Sequence, residues 1–210
     1  SVLRFVFVSS IKVNGEKTEL GHPFVADDMP APMDPYGVSK FEAEQALMLL
    51  GKQTGMEIVI VRPPLVYGPG VKANFQTMLR WVALGIPLPL GGIKNARSMV
   101  ALGNLVDLLI LCIDHPEAAG QIFLVSDGED VSTSELLRRS AQAMQKTIYL
   151  PSVPDGLIYF FADIFGRRAM AERLCGSLQV DIQKTRDLLN WQPPLTLRRA
   201  LELTVENSSL

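Results

Sequence analysis

Cysteine and histidine are scarce in this sequence. Its 210 residues include two cysteines, Cys112 and Cys175, and two histidines, His22 and His115. Two cysteines cannot build a disulfide framework, so a reducing compartment, the cytoplasm, is the expected location. Neither histidine has a cysteine, a histidine or a carboxylate at ligand spacing, so we expect no metal site.

Long apolar runs and an excess of either charge are also missing. The formal net charge is −2, which excludes the basic surface that nucleic acid or an anionic membrane attracts. The most apolar stretch, residues 105–113, contains Asp107 and is far shorter than the ~20 residues of a membrane-spanning helix. For residues 156–166 (GLIYFFADIFG) we expect a buried helix rather than a helix on a membrane surface. Neither nucleic acid nor a membrane is therefore an expected partner.

Two apolar segments, residues 3–8 and 56–61, are typical of buried parallel strands. Between them a helix is predicted to start at Asp34 and Pro35, as N-cap and first residue. Strand, helix and strand in this order predict a parallel sheet with a right-handed crossover. The predicted apolar face of the helix consists of Ala43, Ala46, Leu47 and Leu50.

The rest of the chain alternates helices with short strands, so the fold class is α/β with a smaller, helix-rich lobe. Strands are predicted near residues 88–92, 97–100 and 121–125. Helices are predicted near residues 74–84, 102–114, 155–168 and 195–206, and a further helix is predicted to be capped within residues 132–134.

The pair Tyr36 and Lys40 is the strongest chemical signal. On a helix these residues lie one turn apart on the same side. A lysine ammonium stabilises a neighbouring phenolate, which allows the tyrosine to exchange a proton with a substrate hydroxyl. Ser9 and Ser10 end the first strand, at the sheet edge where α/β folds bind ligands. An exposed tyrosine with a solvated lysine, and a serine that only closes a strand, remain the alternatives.

Six segments in this order resemble one known family. They are VFVSSIKVNG, DPYGVSK, VRPPLVYGPG, ANF, RSMVALGNLVDLL and DIQKTRDLLNWQPPLTL. Together they resemble the extended short-chain dehydrogenases/reductases that modify nucleotide sugars, the NAD-dependent epimerase/dehydratase family. The resemblance implies the C-terminal part of a Rossmann-like parallel sheet plus a substrate-binding lobe. Residues 1–70 would hold the catalytic residues and residues 71–210 mainly the lobe, with residues 101–126 returning to the sheet.

The resemblance also implies catalytic and cofactor-binding roles. Tyr36 would be the acid/base, Lys40 would bind the nicotinamide ribose, and Ser10 would hydrogen-bond the reacting sugar hydroxyl. The cofactor would be NAD or NADP, contacted by Ser9, Tyr36, Lys40 and Pro63, with Pro64 lining the same pocket.

The substrate implied by the resemblance is a nucleotide-diphosphate sugar. Asn74 and Phe75 would open a helix beside the diphosphate, and Arg97 would pair with it, as the bidentate fork of an arginine allows. Further substrate contacts would come from Leu88 and Leu90 on a strand beside the base, from Arg173, and from Leu65, where some epimerases have asparagine.

The sequence departs from the family in two ways. It has no Gly-x-x-Gly-x-x-Gly, the loop that holds a cofactor pyrophosphate at a helix N-terminus. The resemblance therefore implies roughly another hundred residues before Ser1, and the chain by itself is expected to bind no NAD(P) and to be inactive. In addition, Ile11 and Lys12 follow Ser10 where sugar dehydratases have an Asp-Glu pair, so dehydration is not expected.

Several functions stay open at this point. We expect a UDP-hexose or UDP-N-acetylhexosamine 4-epimerase; a 4-ketoreductase of surface-polysaccharide synthesis would use the same residues. A steroid or flavonoid reductase, or a non-catalytic nucleotide-sugar-binding fragment, is a further alternative. Since the first strand would have an open edge, a homo-oligomer is expected.

Overall fold

A computed structural model describes residues 2–70 and 74–207 and confirms the α/β fold class. Its strands are β1 (Arg4–Val8), β2 (Glu57–Arg62), β3 (Leu65–Tyr67), β4 (Met99–Ala101) and β5 (Ile122–Leu124). Its helices are α1 (Pro35–Thr54), α2 (Asn74–Ala83), α3 (Leu102–Asp114), α4 (Thr133–Ala143), α5 (Asp155–Ile164), α6 (Arg168–Cys175), α7 (Gln183–Leu189) and α8 (Leu197–Glu206). Short 3-10 turns lie at Ile11–Val13 and Pro116–Ala118.

The central sheet has the strand order β1-β2-β5, and both pairs are parallel. The predicted pairing of the first two apolar segments is confirmed, with Arg4 opposite Glu57 and Val8 opposite Val61. Strand β2 lies in the middle and is buried from its second residue onward, which explains its uninterrupted apolar sequence. Strands β3 and β4 form a second parallel pair. All the described carboxyl ends of the central sheet therefore meet at one edge.

Helix α1 begins and ends where its sequence predicts. The Asp34 side chain accepts a hydrogen bond of 2.6 Å from the backbone N–H of Gly37, and Pro35 occupies the first turn. Gly55 ends the helix in the left-handed conformation, with φ of 74°.

The apolar face predicted for α1 is not the buried side of the helix. Ala46 and Leu50 are exposed, whereas Gly37 and Glu44 are the buried residues of this helix. Glu44 is buried because it forms an ion pair with Arg62 of β2, a partner that helical periodicity does not reveal.

Residues 88–92 form no strand, contrary to the prediction. Pro87 and Pro89 have no N–H to donate, so only Leu88 and Gly91 bond to the neighbouring segment, to Tyr149 O at 3.2 Å and to Pro151 O at 3.1 Å. The strand predicted at residues 97–100 lies slightly later, as β4.

The helix predicted at residues 155–168 ends earlier, as α5, and a separate helix, α6, starts at Arg168. Gly166, with φ of 63°, lies between them in a conformation that favours glycine. No residue of α5 is buried, and Phe160, Phe161 and Ile164 are more than half exposed, so the prediction of a buried helix is wrong. Strand β3 and helices α6 and α7 are elements that the sequence analysis did not predict.

Three apolar clusters pack these elements together. The largest joins the central sheet to α3 and α7, and it includes Cys112, which is fully buried. The second joins β3 and β4 to α2, α4 and α8, and the third lies between α2, α4 and residues 88–93. Within residues 2–70 and 74–207, no helix is long and apolar enough to cross a membrane.

Candidate active site

Ser9 and Ser10 lie directly past the carboxyl end of β1. The backbone N–H of Ile11 donates to the carbonyl of Pro63 at 3.0 Å, so the chain stays beside β2 as it leaves the sheet. Ser10 caps the 3-10 turn that follows, because its hydroxyl accepts from Lys12 N at 3.2 Å. Ser9 is 3% exposed, and within the described part of the chain its hydroxyl has no hydrogen-bond partner.

Helix α1 brings Tyr36 and Lys40 to the same end of β1. The Lys40 ammonium donates to the carbonyl of Val8, the last residue of β1, at 3.0 Å. Its Nζ lies 5.9 Å from the centre of the Tyr36 ring and 4.8 Å from that of Phe7. Tyr36 is 52% exposed, so its ring is accessible to a ligand at the sheet edge. The ammonium can therefore stabilise negative charge near the tyrosine.

The first turn of α1 packs against the 3-10 turn that Ser10 caps. A side chain at Gly37 would place its Cβ 2.9 Å from the carbonyl of Lys12, so only glycine allows this approach. Lys12 also forms an ion pair with Asp34. This ion pair and the hydrogen bond from the Gly37 N–H hold the pKa of Asp34 below its usual value. Ser10 and Tyr36 thus lie on two elements in contact, and the proximity of their hydroxyl groups stays a prediction.

Arg97 and Arg173 form a second site of concentrated positive charge. Arg97 Nη1 donates to the carbonyl of Arg173 at 2.7 Å and to that of Gly176 at 3.1 Å. Burial, and then the charge of Arg173, lower the pKa of Arg97. Neither guanidinium forms an ion pair with a carboxylate in the part of the chain that the structure describes. An anionic ligand would relieve this repulsion.

The remaining predicted substrate residues differ in accessibility. Phe75 is 3% exposed and packs against Tyr67 with the rings tilted by 35° and their centres 5.4 Å apart. Leu88 and Leu90 are 8% and 7% exposed and belong to an apolar cluster with α2 and α4. Leu65 is partly exposed at the start of β3. Asn74 begins α2, and its side chain lies outside the described residues.

Two polar groups were missed by the sequence analysis, one partly buried and one buried. Asp127 accepts hydrogen bonds from the Tyr67 hydroxyl at 2.6 Å and from Asn104 at 2.7 Å, and burial raises the pKa of Asp127. Arg62 forms an ion pair with Glu44 inside the fold. The Arg62–Glu44 pair has one signal in the sequence, because an arginine at the end of an apolar strand indicates a buried charge that needs a partner.

The residues past β1 fit the nicotinamide-ribose end of a dinucleotide. The unpartnered Ser9 hydroxyl, the accessible Tyr36 ring and the Lys40 ammonium are suitable partners for ribose and amide groups. For a metal ion the described residues offer nothing comparable, since they contain no group of three His, Cys, Asp or Glu side chains able to hold one.

Comparisons with known proteins show which family this chain resembles. The family model described as the NAD dependent epimerase/dehydratase family matches residues 1–126. A UDP-glucose 4-epimerase of Vibrio cholerae is 52% identical over 206 residues, covering 98% of this chain and 63% of that protein. A GDP-6-deoxy-D-mannose reductase of Pseudomonas aeruginosa is 26% identical over 205 residues, covering 94% of this chain and 63% of that protein.

Among solved structures, the protein RMD of Pseudomonas aeruginosa, in complex with NADPH, is similar in fold. Its TM-score is 0.75 at 22% identity, and the match covers 97% of this chain and 65% of that one. This chain therefore spans just under two thirds of the length of the relatives it matches.

Proposed function

Because the chain belongs to the NAD dependent epimerase/dehydratase family, we propose that it is the catalytic and substrate-binding part of a nucleotide-sugar 4-epimerase. The proposed substrate is a UDP-hexose or a UDP-N-acetylhexosamine. The 52% identity to a UDP-glucose 4-epimerase supports this choice over other family reactions.

The observation that carries the proposal is the position of Lys40. Its ammonium sits on the last carbonyl of β1, beside the accessible Tyr36 and one residue from Ser9. Tyr36 exchanges the proton of the sugar C4 hydroxyl, Lys40 stabilises the phenolate, and Ser10 orients the hydroxyl. A bound nicotinamide supplies the hydride chemistry, with Ser9, Lys40 and Pro63 as its contacts.

Arg97 and Arg173 are the proposed diphosphate contacts. Burial, and then the charge of Arg173, lower the pKa of Arg97, and the described structure provides no carboxylate that pairs with either arginine. A diphosphate carries the opposite charge and enough oxygens for a bidentate guanidinium. This argues for a nucleotide sugar and against a steroid or flavonoid substrate, which has no such anion.

The test uses a full-length natural protein that contains this chain. It is incubated with catalytic NAD and with UDP-glucose, UDP-galactose or their N-acetylated forms, and the sugars are identified by proton NMR. Interconversion of C4 epimers without net change in NADH absorbance is the expected result. Absence of interconversion with all four sugars would contradict the proposal.

A 4-ketoreductase is the second candidate, because the chain also resembles a GDP-6-deoxy-D-mannose reductase. That reaction would consume one reduced nicotinamide for each 4-keto sugar nucleotide. Stoichiometric loss of NADPH absorbance, with no epimerisation of UDP-hexoses, would select it.

We propose that the 210-residue chain by itself is inactive and binds UDP-sugars only weakly. It has no Gly-x-x-Gly-x-x-Gly loop to hold a cofactor pyrophosphate, so we expect no measurable NAD(P) binding. Calorimetric titration of the isolated chain checks this, and micromolar NAD affinity would contradict it.

A further inference from the structure

The residues with proposed roles in the reaction lie on two separate elements: the 3-10 turn that Ser10 caps, and α1, which carries Tyr36 and Lys40. We propose that a buried network of Glu44, Arg62 and Asn14 sets the spacing of these elements for the reaction. The three residues would be positioning residues, since they act through the turn and the helix. This inference rests on the proposed function.

Arg62, the last residue of β2, is the centre of the network. Its Nε donates to Glu44 Oε1 at 2.9 Å and its Nη2 to Glu44 Oε2 at 2.6 Å, so the pair is bidentate. Its remaining amino group, Nη1, donates to Asn14 Oδ1 at 3.0 Å. The side chains of Arg62 and Glu44 are 2% and 4% exposed. One buried guanidinium therefore contacts both elements at once.

Each partner of Arg62 belongs to an element with a proposed reactive group. Glu44 follows Lys40 by one helical turn and Tyr36 by two, on the same side of α1. Asn14 ends the 3-10 turn: its N–H donates to Ile11 O at 2.9 Å and its side-chain amide to Val25 O at 3.0 Å. A shift of Arg62 would move the far end of the Ser10 turn relative to α1.

Stability alone does not explain a charged network at this place. The desolvation of two buried charges offsets much of their attraction, and well-packed apolar residues often replace such pairs without loss of stability. Apolar residues cannot supply directional contacts. The guanidinium fork of Arg62 does, because it fixes the angle at which the carboxylate of Glu44 and the side-chain amide of Asn14 approach it.

The experiment compares four forms of the full-length protein: the wild type, Glu44→Gln, the double variant Glu44→Leu/Arg62→Met, and Glu57→Gln as the matched control. Glu57 is also in β2, but it pairs with Arg4 at the opposite end of the strand and is 45% exposed. Turnover, KM for the UDP-sugar, urea unfolding and hydrogen exchange of residues 9–15 are measured for each.

Glu44→Gln should unfold at lower urea concentration, since it leaves a buried guanidinium charge without its carboxylate. The double variant should regain the wild-type unfolding midpoint, yet its kcat should stay about tenfold or more below wild type, with KM within about threefold. Its residues 9–15 should exchange faster, and Glu57→Gln should match wild type in kcat and in exchange.

A double variant with wild-type kcat and wild-type exchange would overturn the inference, because the network would then serve stability alone. If Glu44→Gln does not fold, the double variant by itself decides. If even the wild type converts no UDP-sugar, the proposed function fails, and hydrogen exchange of residues 9–15 still decides whether the network positions the turn.

Discussion

Replacement of Arg97 by alanine tests the proposed diphosphate site. The substitution removes a partly buried guanidinium whose pKa is lowered by burial and by the neighbouring Arg173. Among the described side-chain hydrogen bonds, Arg97 donates through Nη1 alone, to the carbonyls of Arg173 and Gly176. We therefore assign its Nε and Nη2 as the donors to the ligand. We expect UDP-sugar binding to weaken markedly in Arg97→Ala.

The expected magnitude follows from the type of bond. A hydrogen bond between charged groups contributes about 1.5–3 kcal/mol, and partial burial limits screening by salt. A loss of about 2 kcal/mol corresponds to a roughly 30-fold increase in Kd. Arg97→Lys should fall between alanine and wild type, because it keeps the charge and loses the fork.

Asn95→Ala is the control, since Asn95 donates to Gly176 O at 2.8 Å and to Leu174 O at 3.1 Å without carrying a charge. It disturbs the same chain segment and leaves the guanidinium in place. Isothermal titration with UDP-glucose, together with urea unfolding of each variant, separates lost binding from lost folding. Equal affinity of Arg97→Ala and wild type, or equal weakening by Asn95→Ala, would refute the diphosphate assignment.

Three further predictions concern the 210-residue chain itself. Tyr67→Phe removes a donor from the partly buried Asp127 and should lower the free energy of unfolding by about 2 kcal/mol, with an unchanged m-value in urea. A shift below about 0.5 kcal/mol would speak against it. Because the pKa of Asp34 is lowered in the folded state, its ion pair with Lys12 contributes stability above the unfolded-state pKa, and this stability is lost as pH falls through the folded-state pKa. Wild type should therefore lose more stability than Asp34→Asn between neutral and acid pH. Parallel pH–stability curves of the two proteins would contradict this. The exposed edge strand β1 should drive self-association of the chain, and Phe5→Lys should reduce it. A light-scattering result in which the wild-type chain is monomeric at high concentration would contradict this prediction.

Local signals predicted the parts of the fold whose causes are local. Asp34 and Pro35 start α1, Ser132 caps α4, and the bounds of α3 agree with its apolar pattern, because capping and periodicity act within a few residues. The parallel pairing of β1 and β2 also followed from strand, helix and strand in sequence.

The errors arose where distant contacts decide. Glu44 is buried against Arg62, 18 residues further along the chain, and helical periodicity does not reveal such a partner. Asp127 is bound by Tyr67, 60 residues away, and no motif connects them. For the candidate active site, helical spacing predicted that Tyr36 and Lys40 lie close together, whereas the carbonyl that holds Lys40 required the three-dimensional structure.

The most direct test of the central claim is turnover by Tyr36→Phe in the full-length protein. The substitution removes only the hydroxyl that we assign to proton transfer and keeps the exposed ring beside Lys40. The account predicts that epimerisation of UDP-glucose is almost abolished, while the Kd for UDP-glucose stays within about threefold of wild type. Wild-type turnover by Tyr36→Phe would contradict it.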